Sequence, residues 1–161
     1  MADNVIATAD ARETAAAGRT LAELVQPGDV ITLTGDLGAG KTCLVKGVAQ
    51  GLGVSEPVTS PTFNILLVHH GRLDLNHFDL YRLERAEELE DIDFCGTLES
   101  GGVSFVEWGE RFARALPEDH LAVTIEIASE EARTFTLGPT GPRSTALAAA
   151  WVGALRSGGR S

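Results

Sequence analysis

Apolar positions along this chain follow two rhythms. Between Ala11 and Val25, Ala17, Leu21, Leu24 and Val25 recur at helical spacing and predict an amphipathic helix with one core-facing stripe. Asp10, with Glu13 three residues on, forms a capping box in which each side chain satisfies a free backbone N–H at the helix start. Pro27-Gly28-Asp29 stops this helix, and Val30–Thr34 follows as a short, β-branched, nearly continuous apolar run, the pattern of a strand buried on both faces. That run leads directly into Gly35. Lys41 to Leu52 reads as a second helix closed by Gly53, and Ser55 to Pro61 as a loop with two prolines.

Phe63–His69 and Leu73–Asp79 read as two strands of a hairpin joined at Gly71-Arg72. From Glu84 to Asp93 the chain carries Glu84, Glu87, Glu88, Glu90, Asp91 and Asp93, with Leu89 and Ile92 left to face a core, so the segment predicts a solvated helix face. Strands are expected at Val103–Glu107, Leu121–Ile127 and Arg133–Leu137. A linker, Gly138-Pro139-Thr140-Gly141-Pro142, then leads to a last helix docked through Leu147, Trp151, Ala154 and Leu155. Residues 1–156 are expected to form one domain, about 150 residues being a usual size, and 157–161 a mobile tail.

Hydrophobic residues at 43% and charged residues at 22% exclude a disordered chain. Thirteen Lys and Arg against 23 Asp and Glu give a net charge of −10, which argues against a cationic clamp for nucleic acid or an anionic membrane. Any link to RNA would run through a partner. Cys43 and Cys95 are too few for a disulfide scaffold and read as buried thiols. Residues 1–12 lack a basic segment followed by an apolar one, and no apolar run approaches the roughly 20 residues of a membrane span, so a cytoplasmic protein is expected.

Gly35-Asp36-Leu37-Gly38-Ala39-Gly40-Lys41-Thr42 matches G-x-x-x-x-G-K-[ST] between a strand and a helix. The glycines allow successive N–H groups to converge on a phosphate, and the helix dipole reinforces them. Lys41, one of only two lysines, would reach the β and γ phosphates, and the Thr42 hydroxyl would ligate Mg²⁺. Such a site needs a carboxylate near the metal. Glu107 ends the strand Val103–Glu107 and Asp79 ends another; each is a candidate for metal or water positioning, against a plain strand-terminal carboxylate. Trp108 could be plain core, and His77 reads as a structural histidine.

Four segments stand in order: the phosphate loop, Ser60-Pro61-Thr62-Phe63, His77-Phe78-Asp79-Leu80-Tyr81-Arg82-Leu83 and Glu107-Trp108-Gly109-Glu110-Arg111. Together they resemble the TsaE (YjeE) family of bacterial ATPases over about Asp10 to Leu137. The resemblance implies an α/β, P-loop NTPase-like fold with a mixed central sheet flanked by helices. It implies an ATP- and Mg²⁺-dependent ATPase acting with the TsaD–TsaB heterodimer in threonylcarbamoyl modification of tRNAs that read codons beginning with A. By the same resemblance Thr42 and Glu107 are metal ligands, Lys41, Asp79 and Glu107 catalytic groups, and Asp36, Leu37, Gly38, Ala39, Gly40, Lys41, Thr42, Cys43, Thr62, Trp108 and Arg133 nucleotide contacts. His69-His70 departs from many relatives.

Two other readings use the same loop. A small-molecule kinase would bring an acceptor pocket and an arginine-rich lid, toward which Arg82, Arg85, Arg111 and Arg114 could count, but no long arginine-rich insert is present. An ATP-binding switch whose hydrolysis is dispensable also fits. A GTPase is disfavoured, because Lys46, the second lysine, follows Val45 and forms no N-K-x-D motif.

Overall fold

The computed structural model describes residues 4–35, 40–55 and 65–158. Its elements run β1 (Val5–Thr8), α1 (Ala11–Leu24), β2 (Val30–Thr34), α2 (Lys41–Gly51), β3 (Leu66–His69), β4 (Leu75–Asp79), α3 (Glu88–Asp91), α4 (Phe94–Leu98), β5 (Val103–Glu107), a 3₁₀ helix (Gly109–Ala115), β6 (Leu121–Ile127), β7 (Arg133–Pro139) and α5 (Pro142–Gly158). The strands form one sheet in the order β1-β7-β6-β2-β5-β4-β3. Its centre, β6-β2-β5-β4, is parallel, and antiparallel pairs close both ends. The mixed α/β sheet expected from the sequence is the sheet found.

Alternate residues of the central strands feed two cores. Ile31, Leu33, Leu75, Val103 and Phe105 pack under α1, α2 and α5 with Leu21, Leu44, Val48 and Trp151. Val30, Phe78 and Val106 face the other way, onto Leu83, Leu89, Phe94 and Phe112. Burial on both faces is why β2 reads as a continuous apolar run.

Helix α1 is capped as its sequence predicts: Glu13 N donates to Asp10 Oδ1 at 2.9 Å, and Ala9 N donates to Glu13 Oε1 at 2.8 Å. It lies unusually close to α2, because Gly18 and Gly47 face each other's helix. A Cβ at Gly47 would stand 2.2 Å from Ala15 O, and one at Gly18 would stand 2.4 Å from Leu44 O. Trp151 Nε1 donates to Ala17 O at 2.9 Å, locking α5 onto the same helix. Arg143 ties the start of α5 to the sheet with Nε and Nη2 on the two Asp29 carboxylate oxygens, at 2.9 and 2.7 Å.

Several expectations change. β1, α4 and the 3₁₀ helix were not read from the sequence. The acidic stretch forms only the short α3: Glu84 N and Arg85 N donate to Glu88 Oε1 ahead of the helix, and Asp93, left-handed (φ 52°), separates α3 from α4, whose Phe94 enters the core. β7 extends to Pro139 and α5 starts at Pro142, which shortens the linker; α5 includes Ser157 and Gly158 of the expected tail, and 159–161 lie outside the described residues. Neither cysteine is buried: Cys43 is half-buried at the first turn of α2, and Cys95 is exposed between the inward positions Phe94 and Leu98 of α4. Among the described residues, no helix is long and apolar enough to cross a membrane.

Candidate nucleotide and metal site

Register brings the strand ends together. Glu107 pairs with Leu33 of β2 on one side and with Asp79 of β4 on the other, so both candidate carboxylates stand level at the carboxyl edge of the parallel strands. Ligands of open α/β sheets bind at this edge. The N-terminus of α2 opens onto it, after Gly40 turns with φ 106°, a conformation that favours glycine. The free N–H groups of the first turn, which carries Lys41, Thr42 and Cys43, lie at the positive end of the helix dipole.

Lys41 folds back over this edge. Its ammonium donates to Gly35 O at 2.8 Å, lies 3.8 Å from Glu107 Oε1 and sits 4.5 Å from the Trp108 ring centroid. Glu107 uses its second oxygen differently: Oε2 is 2.5 Å from Nε2 of His77, whose side chain is fully buried. Asp79, half-buried, accepts from Tyr81 N at 3.0 Å. Burial pushes its carboxyl above the ordinary range; the Tyr81 hydrogen bond opposes this, the neighbouring Glu107 charge adds to it, and Lys41 and His77 lower it.

Trp108 is not plain core. It is half-buried and adopts φ 65°, a left-handed conformation that costs a bulky side chain about 1–3 kcal/mol. That turn lays the indole over Lys41 and 5.0 Å from the Tyr81 ring. Thr42 is half-buried in the first turn of α2. Beside it opens a pocket of about 250 Å³ lined in part by Ala11, Thr14, Gly40, Cys43 and Arg133. Burial raises the Cys43 thiol pKa, with Lys46 and Arg133 opposing, so this thiol is not activated. Arg133 Nη1 donates to the carbonyls of Ser129, Glu130 and Ala132, which holds the side chain at the pocket wall.

The structure thus brings Gly40, Lys41, Thr42, Asp79, Glu107 and Trp108 around one edge, with Cys43 and Arg133 in the adjoining pocket. Asp36, Leu37, Gly38, Ala39 and Thr62 lie outside the described residues, as do Ser60, Pro61 and Phe63. His69 is buried, and the exposed His70 pairs with Asp74 at 2.8 Å. The contact that sequence reading missed is His77 with Glu107. Its only signal is spacing: His77 and Asp79 share one face of β4, as Phe105 and Glu107 share one face of β5, and that matters only once the strands are known to be neighbours.

The donor set suits a nucleotide carried with a hard cation. A carboxylate and a hydroxyl are oxygen ligands, and a buried ammonium beside free helix N–H groups suits phosphate. Among the described residues no cluster of three or more His, Cys, Asp or Glu could hold a metal by itself.

The sequence profile of threonylcarbamoyl adenosine biosynthesis protein TsaE matches residues 8–135. The tRNA threonylcarbamoyladenosine biosynthesis protein TsaE of Treponema pallidum is 44% identical over 127 residues, covering 79% of this chain and 94% of its own. Its counterpart in Bacillus subtilis is 41% identical over 137 residues, covering 84% and 85%. Among solved structures, the crystal structure of Bacillus subtilis YdiB superposes with a TM-score of 0.76 at 35% identity and covers 89% of both chains, in keeping with a P-loop NTPase-like fold. With its profile, its relatives and its fold in agreement, the chain belongs to the TsaE family.

Proposed function

We propose that this protein is the Mg²⁺-dependent ATPase component of the bacterial machinery that makes N6-threonylcarbamoyladenosine in tRNAs reading codons that begin with A, acting in the cytoplasm with TsaD and TsaB. Membership of the TsaE family supports the process. The observation that carries the ATPase reading is the buried Lys41–Glu107 pair at the carboxyl edge of β2 and β5, with Lys41 inside a complete phosphate-loop sequence.

In this reading water attacks the γ-phosphorus, the bond to the bridging oxygen of ADP breaks, and phosphate and ADP leave. Lys41 and the first-turn N–H groups of α2 stabilise the charge on the phosphates, while Thr42 and Glu107 hold the cation. Bound there, Mg²⁺ would neutralise charge on the phosphates. Asp79, with its raised pKa and its place level with Glu107, orients the water and accepts its proton. The Trp108 indole shields the Lys41 ammonium from water and strengthens its pull on phosphate. A chain with net charge −10 leaves the tRNA to its partners.

Titration calorimetry with ADP, ATP and GTP in Mg²⁺ tests the nucleotide site. Binding of the adenine nucleotides in preference to GTP, lost in Lys41→Ala, is expected. Equal binding by Lys41→Ala, or none by the wild type, contradicts the reading.

A further inference from the structure

We infer that His77 is a positioning residue, which holds Glu107 Oε2 so that Oε1 faces Lys41 and the cation. The inference rests on the nucleotide and metal reading above. A glutamate at the end of a strand has a broad, roughly two-fold terminal torsion, so its oxygens are aimed only if something fixes one of them. Here His77 does so, at 2.5 Å and out of reach of solvent, while Oε1 points to Lys41 Nζ at 3.8 Å.

The imidazole can donate to this oxygen only if Nε2 carries the ring hydrogen. Nδ1 has no hydrogen-bond partner among the described residues. A proton there would be a buried donor without an acceptor, so Nδ1 stays bare and Nε2 carries the hydrogen. Strand pairing supports the arrangement from below. His77 is in register with Phe105, two residues before Glu107 on the same face, and Leu80 N donates to Glu107 O at 3.0 Å, which fixes the two strand ends against each other. A histidine that only filled space would need neither a donor at this position nor alignment with one carboxylate oxygen.

Two variants separate positioning from packing. His77→Leu keeps the volume and removes the donor; His77→Gln carries an N–H to about the same reach. Mn²⁺ binding to the ADP complex, followed by electron paramagnetic resonance, is expected to weaken about 10- to 100-fold in His77→Leu and to recover in His77→Gln, with ADP affinity in the absence of metal unchanged. Unaltered Mn²⁺ affinity in His77→Leu, or a glutamine variant as poor as the leucine one, overturns the role of His77 alone. A wild type that binds no Mn²⁺ with ADP overturns the metal reading and this inference together. Should His77→Leu not fold, ¹⁵N-histidine spectra of the wild type decide: a hydrogen on Nε2, retained when Mg²⁺ and ADP are added, is expected, and a bare Nε2 overturns the inference.

Discussion

The ammonium of Lys41, at the first residue of α2, lies 3.8 Å from Oε1 of Glu107, at the last residue of β5, and both side chains are almost sealed from solvent. Salt screens such a pair little, so the charge on one sets the behaviour of the other. Glu107→Gln removes that charge and keeps an oxygen that can accept from His77. Phosphate release is expected to fall about 10²- to 10³-fold, the scale of losing one charge-stabilising group at a reacting centre, while ADP still binds. Steady-state phosphate release and calorimetry on the same preparation check both halves.

Asp79 predicts a stability gain at the expense of activity. Its folded pKa is raised, chiefly by burial, so the folded state favours the protonated carboxyl. That contribution is complete below the unfolded value, about 3.9, and is lost as pH rises through the folded value. Asp79→Asn, which cannot ionise and keeps an acceptor for Tyr81 N, should therefore melt above the wild type at pH 7–8, with the difference closing toward pH 3. Melting curves across that range test it, and a difference that does not change with pH contradicts it.

Asp119 behaves in the opposite sense. Hydrogen bonds from Ser144, with Arg143 adding, cap the start of α5 and hold its carboxyl below the usual range. This contribution is present above the unfolded pKa and is lost as pH falls through the folded one. Asp119→Asn is expected to lower the melting temperature at pH 7 and to match the wild type once both are measured below the folded pKa.

The contact between α1 and α2 predicts the cost of one methyl group. Gly47→Ala would gain up to about 1 kcal/mol of helix propensity, but the added carbon meets the backbone of Ala15, which cannot rotate away. Overpacking of this kind costs about 1–3 kcal/mol, so net destabilisation is expected in urea unfolding, with weaker ADP binding because α2 carries the phosphate loop. A variant as stable as the wild type would show that the helices separate freely.

The elements around the candidate site were legible where local chemistry specifies them: the Asp10–Glu13 cap, the doubly buried run of β2 and the helix that starts at Lys41 after Gly40. The rest depends on contacts between distant segments. β1 is four residues long with an exposed, buried, exposed, buried pattern, and it exists through pairing with β7, more than 120 positions away. Six carboxylates argued for a helix, but only Glu88–Asp91 forms one, and the left-handed Asp93 separates it from α4. Lys41, Asp79 and Glu107 were nameable from motif and strand ends, whereas the His77 contact and the placement of the Trp108 ring over Lys41 follow from register and from a positive φ that no pattern announces.

The proposed coupling of ATP hydrolysis to tRNA modification is tested by reconstitution with TsaD, TsaB and tRNA, reading phosphate release and threonylcarbamoyladenosine formation together for the wild type and Glu107→Gln. Partners are expected to raise phosphate release by the wild type, and Glu107→Gln, still binding nucleotide, is expected to lose both signals. Sustained tRNA modification by Glu107→Gln with phosphate release abolished would contradict it, leaving a nucleotide-binding switch in place of an ATPase.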